Sequence, residues 1–404
     1  MKKKKLLQHV IIISMALFLI VSCKKTATDK EVATNVPAVD EYRINETDET
    51  PLWVAKSDSS GTSTQCVKVF ATGLKNPRGL KFSPTGFLYV AEGGDGGGSN
   101  ATIGLCTQVP FPVGPYHGGP TGGRISRINW KGERTTVTDQ LPSSRANEII
   151  GGDVQGVADV AFIDHVLYAV LSGAGCSHGV KSEQNGVIKI AQNGSQWKMT
   201  ANISNWLMSH PVKNPEPDDF EPDGTPYSMI TVDGVFYVLE PNHGDLMKIT
   251  TSGNISRVID ISATQGHIVP TALFHHDGNF YMGNLHPFPI VDGSSNIYKI
   301  TPGGDIKVFE KGLTTVLGLT FDENGRMYIL ENTTGKPGLT PGTGKVIRIN
   351  KLGKRSVIAS GLSLPTAMTI GPDGNLYVSN WGFGPKSTAG GGEILQISVK
   401  KGDE

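Results

Sequence analysis

Apolar and polar residues alternate in short runs along most of the chain, and one run recurs six times. It ends in an apolar residue followed by tyrosine: Leu88-Tyr89, Leu167-Tyr168, Phe236-Tyr237, Phe280-Tyr281, Met327-Tyr328 and Leu376-Tyr377. Six of the ten tyrosines are used this way. Ahead of each pair stands a short apolar strand and a tight turn, such as Leu319 to Phe321 with Asn324-Gly325, or Met368 to Ile370 with Asp373-Gly374. Gly and Asn-Gly between β-rich runs predict hairpins, because those residues tolerate positive φ. A third strand follows each pair, at Ile125–Ile128, Val187–Ile190, Leu246–Ile249, Ile297–Ile300, Val346–Ile349 and Ile394–Ile397. Glycine turns after the first five lead to a fourth strand, such as Ile306 to Phe309. Four antiparallel strands in each of six repeats predict an all-β six-bladed β-propeller.

The sixth repeat stops after its third strand, near Lys400. Residues 67 to 74, Val-Lys-Val-Phe-Ala-Thr-Gly-Leu, match Ile306 to Leu313, a fourth strand elsewhere. Residues 67–74 are therefore expected to complete the last blade and close the ring, which removes bare strand edges. With strands a to d running from channel to rim, the d-to-a and b-to-c connections share one face, called the first face. This face takes the irregular sequence: the insertion Gly93–Gly123, the exit Ser143–Gln155, and Ser204–Thr225 with Trp206, Phe220 and the acidic cluster Asp218, Asp219, Glu221 and Asp223. Thr333–Gly344 and Trp381–Gly392 belong to it as well. Six of nine mature histidines, including His178, His243, His267 and His286, fall there too. Varied loops on a rigid scaffold are where function is carried.

Upstream of the repeats the chain changes character. Lys2–Lys5 precede an apolar stretch, Leu6–Val21, ending Ile20-Val21-Ser22-Cys23, the order of a secretory signal. The segment resembles the lipobox of bacterial lipoproteins, which implies cleavage before Cys23 and a lipid, including palmitate, on its sulfur. Residues 1–22 are thus expected to be a signal peptide, 23–65 a lipidated cysteine and flexible tether, 66–400 the propeller and 401–404 a tail. A 42-residue coil spans about 35 Å. The implied location is exported and membrane-anchored, on the periplasmic or cell-surface side.

Composition adds limits. Fifty-one glycines in 404 residues, without a triplet period, serve turns rather than a collagen helix. Lys+Arg 37 balances Asp+Glu 37, so no basic excess exists to neutralise phosphates, and nucleic acid is not an expected partner. A monomer is expected. Export makes a disulfide expected, and Cys106 and Cys176 lie in b-to-c loops of adjacent blades on one face, whereas Cys66 begins the closing strand at the other. Cys106–Cys176 is the expected pair.

The position three residues after each repeat tyrosine marks the end of strand b. Around the ring it reads Glu92, Leu171, Glu240, Asn284, Glu331 and Asn380. Glu92, Glu240, Asn284, Glu331 and Asn380 could together hold a hard cation such as Ca²⁺, which takes oxygen ligands. The same side chains could instead cap strand ends and bond loop amides.

Gly73–Leu80 running into Gly86–Gly94, with Gly118–Ile125 and Gly156–Phe162, resembles the ScyD/ScyE family of exported propellers over residues 66 to 400. The wider likeness is to NHL-type repeats, on Tyr237 to His243. The resemblance implies a propeller fold and export, and brings no catalytic set. Two functions follow. One is a non-catalytic binding propeller whose first face takes a small molecule, glycan or protein, since the chain has no Gly-x-Ser-x-Gly elbow and no HExxH helix. The alternative resembles the Ca²⁺-dependent lactonase and gluconolactonase propellers: the five strand-end residues would hold the cation, with His243 or His286 as candidate base.

Overall fold

The computed structural model describes residues 67–399 apart from 100, 151–152, 192–193 and 195. The signal segment, Cys23, the tether and Cys66 lie outside the described residues. Six sheets of antiparallel strands stand in a ring, one for each repeat. Blade one has strands a to d at Pro77–Phe82, Leu88–Glu92, His117–Ile128 and Arg134–Arg145; blade two has them at Val157–Ile163, Val166–Leu171, Gly186–Ile190 and Trp197–Asn202. Blade three runs Ser228–Val232, Val235–Glu240, Asp245–Ile249 and Ile255–Asp260, and blade four Pro270–His276, Asn279–Asn284, Ser295–Ile300 and Ile306–Leu313. Blade five comprises Val316–Phe321, Met327–Glu331, Gly344–Ile349 and Arg355–Leu362; blade six contributes Ala367–Ile370, Leu376–Asn380 and Gly392–Ile397.

The fourth strand of blade six is Val67–Leu74, as its likeness to Ile306–Leu313 requires. It pairs antiparallel with Gly392–Ile397, with Val67 opposite Ile397 and Leu74 opposite Gly392. Because strand c starts at the first face, this register puts Leu74 at the first face and Val67 at the opposite one. The chain therefore enters the ring on the face of short turns. The joint is apolar: Ala71, Leu74, Leu80, Leu88, Val90, Ile128, Tyr377 and Ile394 pack in one cluster across blades six and one.

The repeat tyrosines explain themselves in this packing. Alternation along strand b sends successive side chains to opposite faces of each blade, so tyrosines become wedges between blades. Tyr89 meets Phe162 of blade two edge-on, and Tyr168 meets Phe236 of blade three. Tyr377 is wedged between Phe70 and Phe82, its hydroxyl bonded to Asp373 at 3.0 Å.

Blade one departs from the expected plan. The insertion is not all loop, because strands c and d both extend to twelve residues and carry the hairpin outward onto the first face. Val154–Gln155 adds a fifth, two-residue strand against Ser144 and Arg145. The stretch after blade two also starts differently from the irregular segment read in the sequence. Ile203–Ser209 is a short helix, with the Asn202 side chain accepting the Asn205 N–H and Ile203, Ser204 and Leu207 buried beneath it.

Candidate functional site

The five strand-end side chains share a single role in each blade. Glu240 Oε1 accepts the backbone N–H of Thr225 at 2.7 Å and of Asn242 at 3.3 Å, while Oε2 accepts that of His243 at 2.5 Å. Glu92 takes the Lys75 N–H at 2.6 Å, the Arg124 guanidinium and the Ser126 hydroxyl. Glu331 accepts the Thr314 N–H at 2.8 Å and pairs with Lys345 at 3.0 Å. Asn380 accepts the Ser363 N–H at 2.8 Å, and Asn284 accepts from Asn296 and donates to the Ile268 carbonyl. Each side chain thus ties the d-to-a connection, the b-to-c connection or both to the end of its own strand b. Buried backbone donors need such partners. Among the described residues no group of three or more His, Cys, Asp and Glu is placed to hold a metal ion. The proposed bases have protein partners as well: His243 is buried with Nε2 2.9 Å from the Glu221 carbonyl, and His286 Nδ1 lies 3.2 Å from the Pro287 carbonyl.

The axis of the ring is narrow and polar at one level. A cavity of about 100 Å³ is lined by residues in or just ahead of strand a of all six blades. The Tyr227 hydroxyl, from blade three, donates to the Thr366 carbonyl of blade six, opposite in the ring, at 3.0 Å. Asp159 lies beneath the same mouth and accepts the Met229 and Val160 N–H groups at 2.9 Å, with Lys81 3.5 Å away. Burial raises the Asp159 pKa, against the pull of Lys81. Arg78, buried in strand a of blade one, donates to the Gly382 and Val154 carbonyls and pairs with Asp153 at 3.1 Å.

The first face carries a second, larger polar assembly. Cys106 of the insertion is bonded to Cys176, the expected pair, 70 residues apart in sequence. The turn that follows, Cys176–His178, faces the connection from blade two to blade three. Ser177 donates its N–H and its hydroxyl to Asp223 Oδ2 at 2.7 and 2.6 Å. His178 Nε2 stands 3.0 Å from Glu221 Oε2, the Tyr116 hydroxyl 3.5 Å from Glu221 Oε1, and the Tyr116 ring packs on the His178 ring. Further along, Asp219 meets His267 at 2.8 Å. Burial raises the Glu221 pKa, with His178 pulling it down and Asp219 and Glu240 adding to the rise. Tyr116 is pushed up by burial first and then by Glu221.

The acidic run and the first-face histidines stand out in the sequence, but their pairing does not. No local signal joins His178 to Glu221 43 positions away.

Exposed apolar side chains also lie in the connections of this face. Ile103, Leu105 and Phe111 of the insertion are each more than 60% exposed, and Ile149 of the blade one exit is 70% exposed. Val109, Tyr116 and Ala146 form a small core that holds insertion and exit together beneath them. Phe288, Val291 and Leu339 form a further exposed set in loops of blades four and five, joined by the Ile290 N–H to the Pro337 carbonyl.

These features define a six-bladed β-propeller with its irregular surface on one face. No family profile matches the chain, and no curated protein matches it. Solved structures do resemble it. Virginiamycin B lyase from Staphylococcus aureus aligns over 83% of this chain and 100% of its own at 15% identity, TM-score 0.46. A Thermus thermophilus oxidoreductase described as a glucose dehydrogenase aligns over 83% and 100% at 14% identity, TM-score 0.50. A gluconolactonase from Xanthomonas campestris aligns over 83% and 90% at 9% identity, TM-score 0.48. Such neighbours are six-bladed propellers of the NHL and SMP-30-like kind, and at these identities the likeness is one of fold alone.

Proposed function

We propose that this protein is an exported, lipid-anchored binding propeller that captures a protein partner on its first face. The observation that carries this reading is the exposed apolar set Ile103, Leu105 and Phe111, mounted on an insertion held by the Cys106–Cys176 bond, with Ile149 exposed on the blade one exit. Large apolar side chains left exposed on a rigid support mark candidate interaction sites. The axial cavity, at about 100 Å³, falls below the roughly 300 Å³ at which small-molecule sites begin. The five strand-end side chains are engaged by the fold, so the reading asks no chemistry of them.

Export and anchoring rest on the lipobox-like segment ending at Cys23 and on the resemblance to the exported ScyD/ScyE family. The register of the closing strand places Val67, its first described residue, on the face opposite the first face. The test is affinity capture from solubilised envelope with the wild-type chain and with the double variant Ile103→Asp, Leu105→Asp. A specific partner retained by the wild type and lost from the folded variant supports the reading. Equal retention by both rejects it.

A further inference from the structure

Three imidazoles hold one segment of the first face. His178 of blade two reaches Glu221, His243 of blade three reaches the Glu221 carbonyl, and His267, ahead of blade four, reaches Asp219. Asn242 completes the grip: its Oδ1 accepts the Glu221 N–H, and its amide donates to the Asp219 carbonyl. The segment 219–223 is thereby strapped across blades two to four. It is hydrogen-bonded to the Cys176–His178 turn, and Cys176 in turn is disulfide-bonded to Cys106 of the blade one insertion.

Proton positions within this strap are constrained. The Ser177 hydroxyl has one hydrogen, and the 2.6 Å contact directs it to Asp223. The Ser177 oxygen is then an acceptor facing His178 Nδ1 at 3.4 Å, while Glu221 Oε2 faces Nε2 at 3.0 Å. Both ring nitrogens of His178 therefore face acceptors, so a proton on Nε2 is directed at Glu221 Oε2. His178 is fully buried and Glu221 is 6% exposed. The groups around them are the carboxylates of Asp219, Asp223 and Glu240, the Tyr116 phenol, and the rings of His243 and His267. A carboxylate buried among others is stable only with a proton or a counter-charge.

We propose that His178 and Glu221 share one buried proton that fastens the strap, so that the first face is locked at acid pH and released as the proton is lost. The sign follows from Glu221, whose pKa is raised in the fold mainly by burial. A carboxyl with a raised folded-state pKa contributes stability that is fully present below its unfolded value and lost as pH climbs through the folded one. Losing the proton leaves Glu221 charged beside a neutral ring, within a cluster already holding three other carboxylates. On the binding reading above, release would alter partner capture with pH; the latch itself does not depend on that reading.

The test is hydrogen exchange by mass spectrometry on the full-length protein between about pH 5 and about pH 8, with labelling times scaled to the intrinsic rate at each pH. Peptides covering 174–180 and 217–224 are followed against a control peptide from 316–321 in blade five. Protection of the first two should fall about tenfold or more across this range, while the control stays level. In Glu221→Gln, which keeps the shape and cannot ionise, the pH dependence should vanish, and His178→Gln should reduce it. Strap protection that does not change with pH in the wild type would overturn the proposal. So would a Glu221→Gln protein with the wild-type profile. Failure of affinity capture with an intact exchange profile would count against the partner reading alone.

Discussion

Replacing Glu240 by glutamine separates a strand-end tie from a cation ligand. The carboxylate receives three backbone N–H groups, at 2.7 and 3.3 Å on Oε1 and 2.5 Å on Oε2, and is fully buried. Glutamine can keep its oxygen toward Thr225 and Asn242, but its NH₂ then faces the His243 N–H, donor against donor. That change removes one bond to a charged acceptor, worth about 1.5–3 kcal/mol, and leaves a buried donor unsatisfied at about 1–3 kcal/mol. Glu240→Gln should therefore destabilise the ring by about 3–5 kcal/mol. With unfolding entropy near 2.1 cal/mol/K per residue, a ring of this size loses about 0.7 kcal/mol per degree, so the melt should drop by about 4–7 °C. Scanning calorimetry of wild type and variant, each with excess EDTA and with added Ca²⁺, reads this directly. The drop should be the same in both conditions. A Ca²⁺-dependent rise in the wild type that the variant lacks would refute the reasoning and return Glu240 to the role of metal ligand.

The remaining expectations concern the ring and its electrostatics. Leu74→Ala removes a fully buried side chain from the joint between blades six and one and should cost about 3–5 kcal/mol, whereas Val69→Ala, at a half-exposed rim position, should be nearly silent in urea titration. Cys106→Ser with Cys176→Ser opens a 70-residue loop; chain entropy puts the loss at about 4 kcal/mol at most, and exchange should rise in the insertion before blades three to six are affected. Burial pushes the Asp245 pKa up to about 6 against the opposing pull of Arg257. Stability is therefore present below the usual aspartate range and lost as pH rises through about 6, so between about pH 4 and pH 8 Asp245→Asn should gain about 2–3 kcal/mol on the wild type.

Much of the fold is legible in the chain because repetition reports it six times over. The apolar-Tyr pair fixed strand b, the Gly turns bounded the hairpins, and the likeness of 67–74 to 306–313 located the closing strand. The Cys106–Cys176 pair followed from placing both loops on one face. Less was legible where a residue's role depends on a partner far along the chain. Glu92, Glu240 and Glu331 form a ring in the repeat alignment, yet each is engaged by amides or cations of its own blade, and alignment position cannot tell convergence from parallel local bonding. The acidic run at 218–223 stands out in the sequence, but its histidine partners come from three blades. The helix Ile203–Ser209 escaped notice for a different reason: seven residues are too few to display a helical period, and its Asn202 cap reads equally well as a turn.

The most direct test of the account is site-specific photo-crosslinking in the native envelope. A crosslinking side chain at Leu105, on the insertion, is compared with one at Leu352, which is 90% exposed on the opposite face. A discrete protein adduct from position 105 and none from 352 is the predicted result. Adducts of equal yield from both positions, or an adduct from 352 alone, would contradict a partner-binding first face.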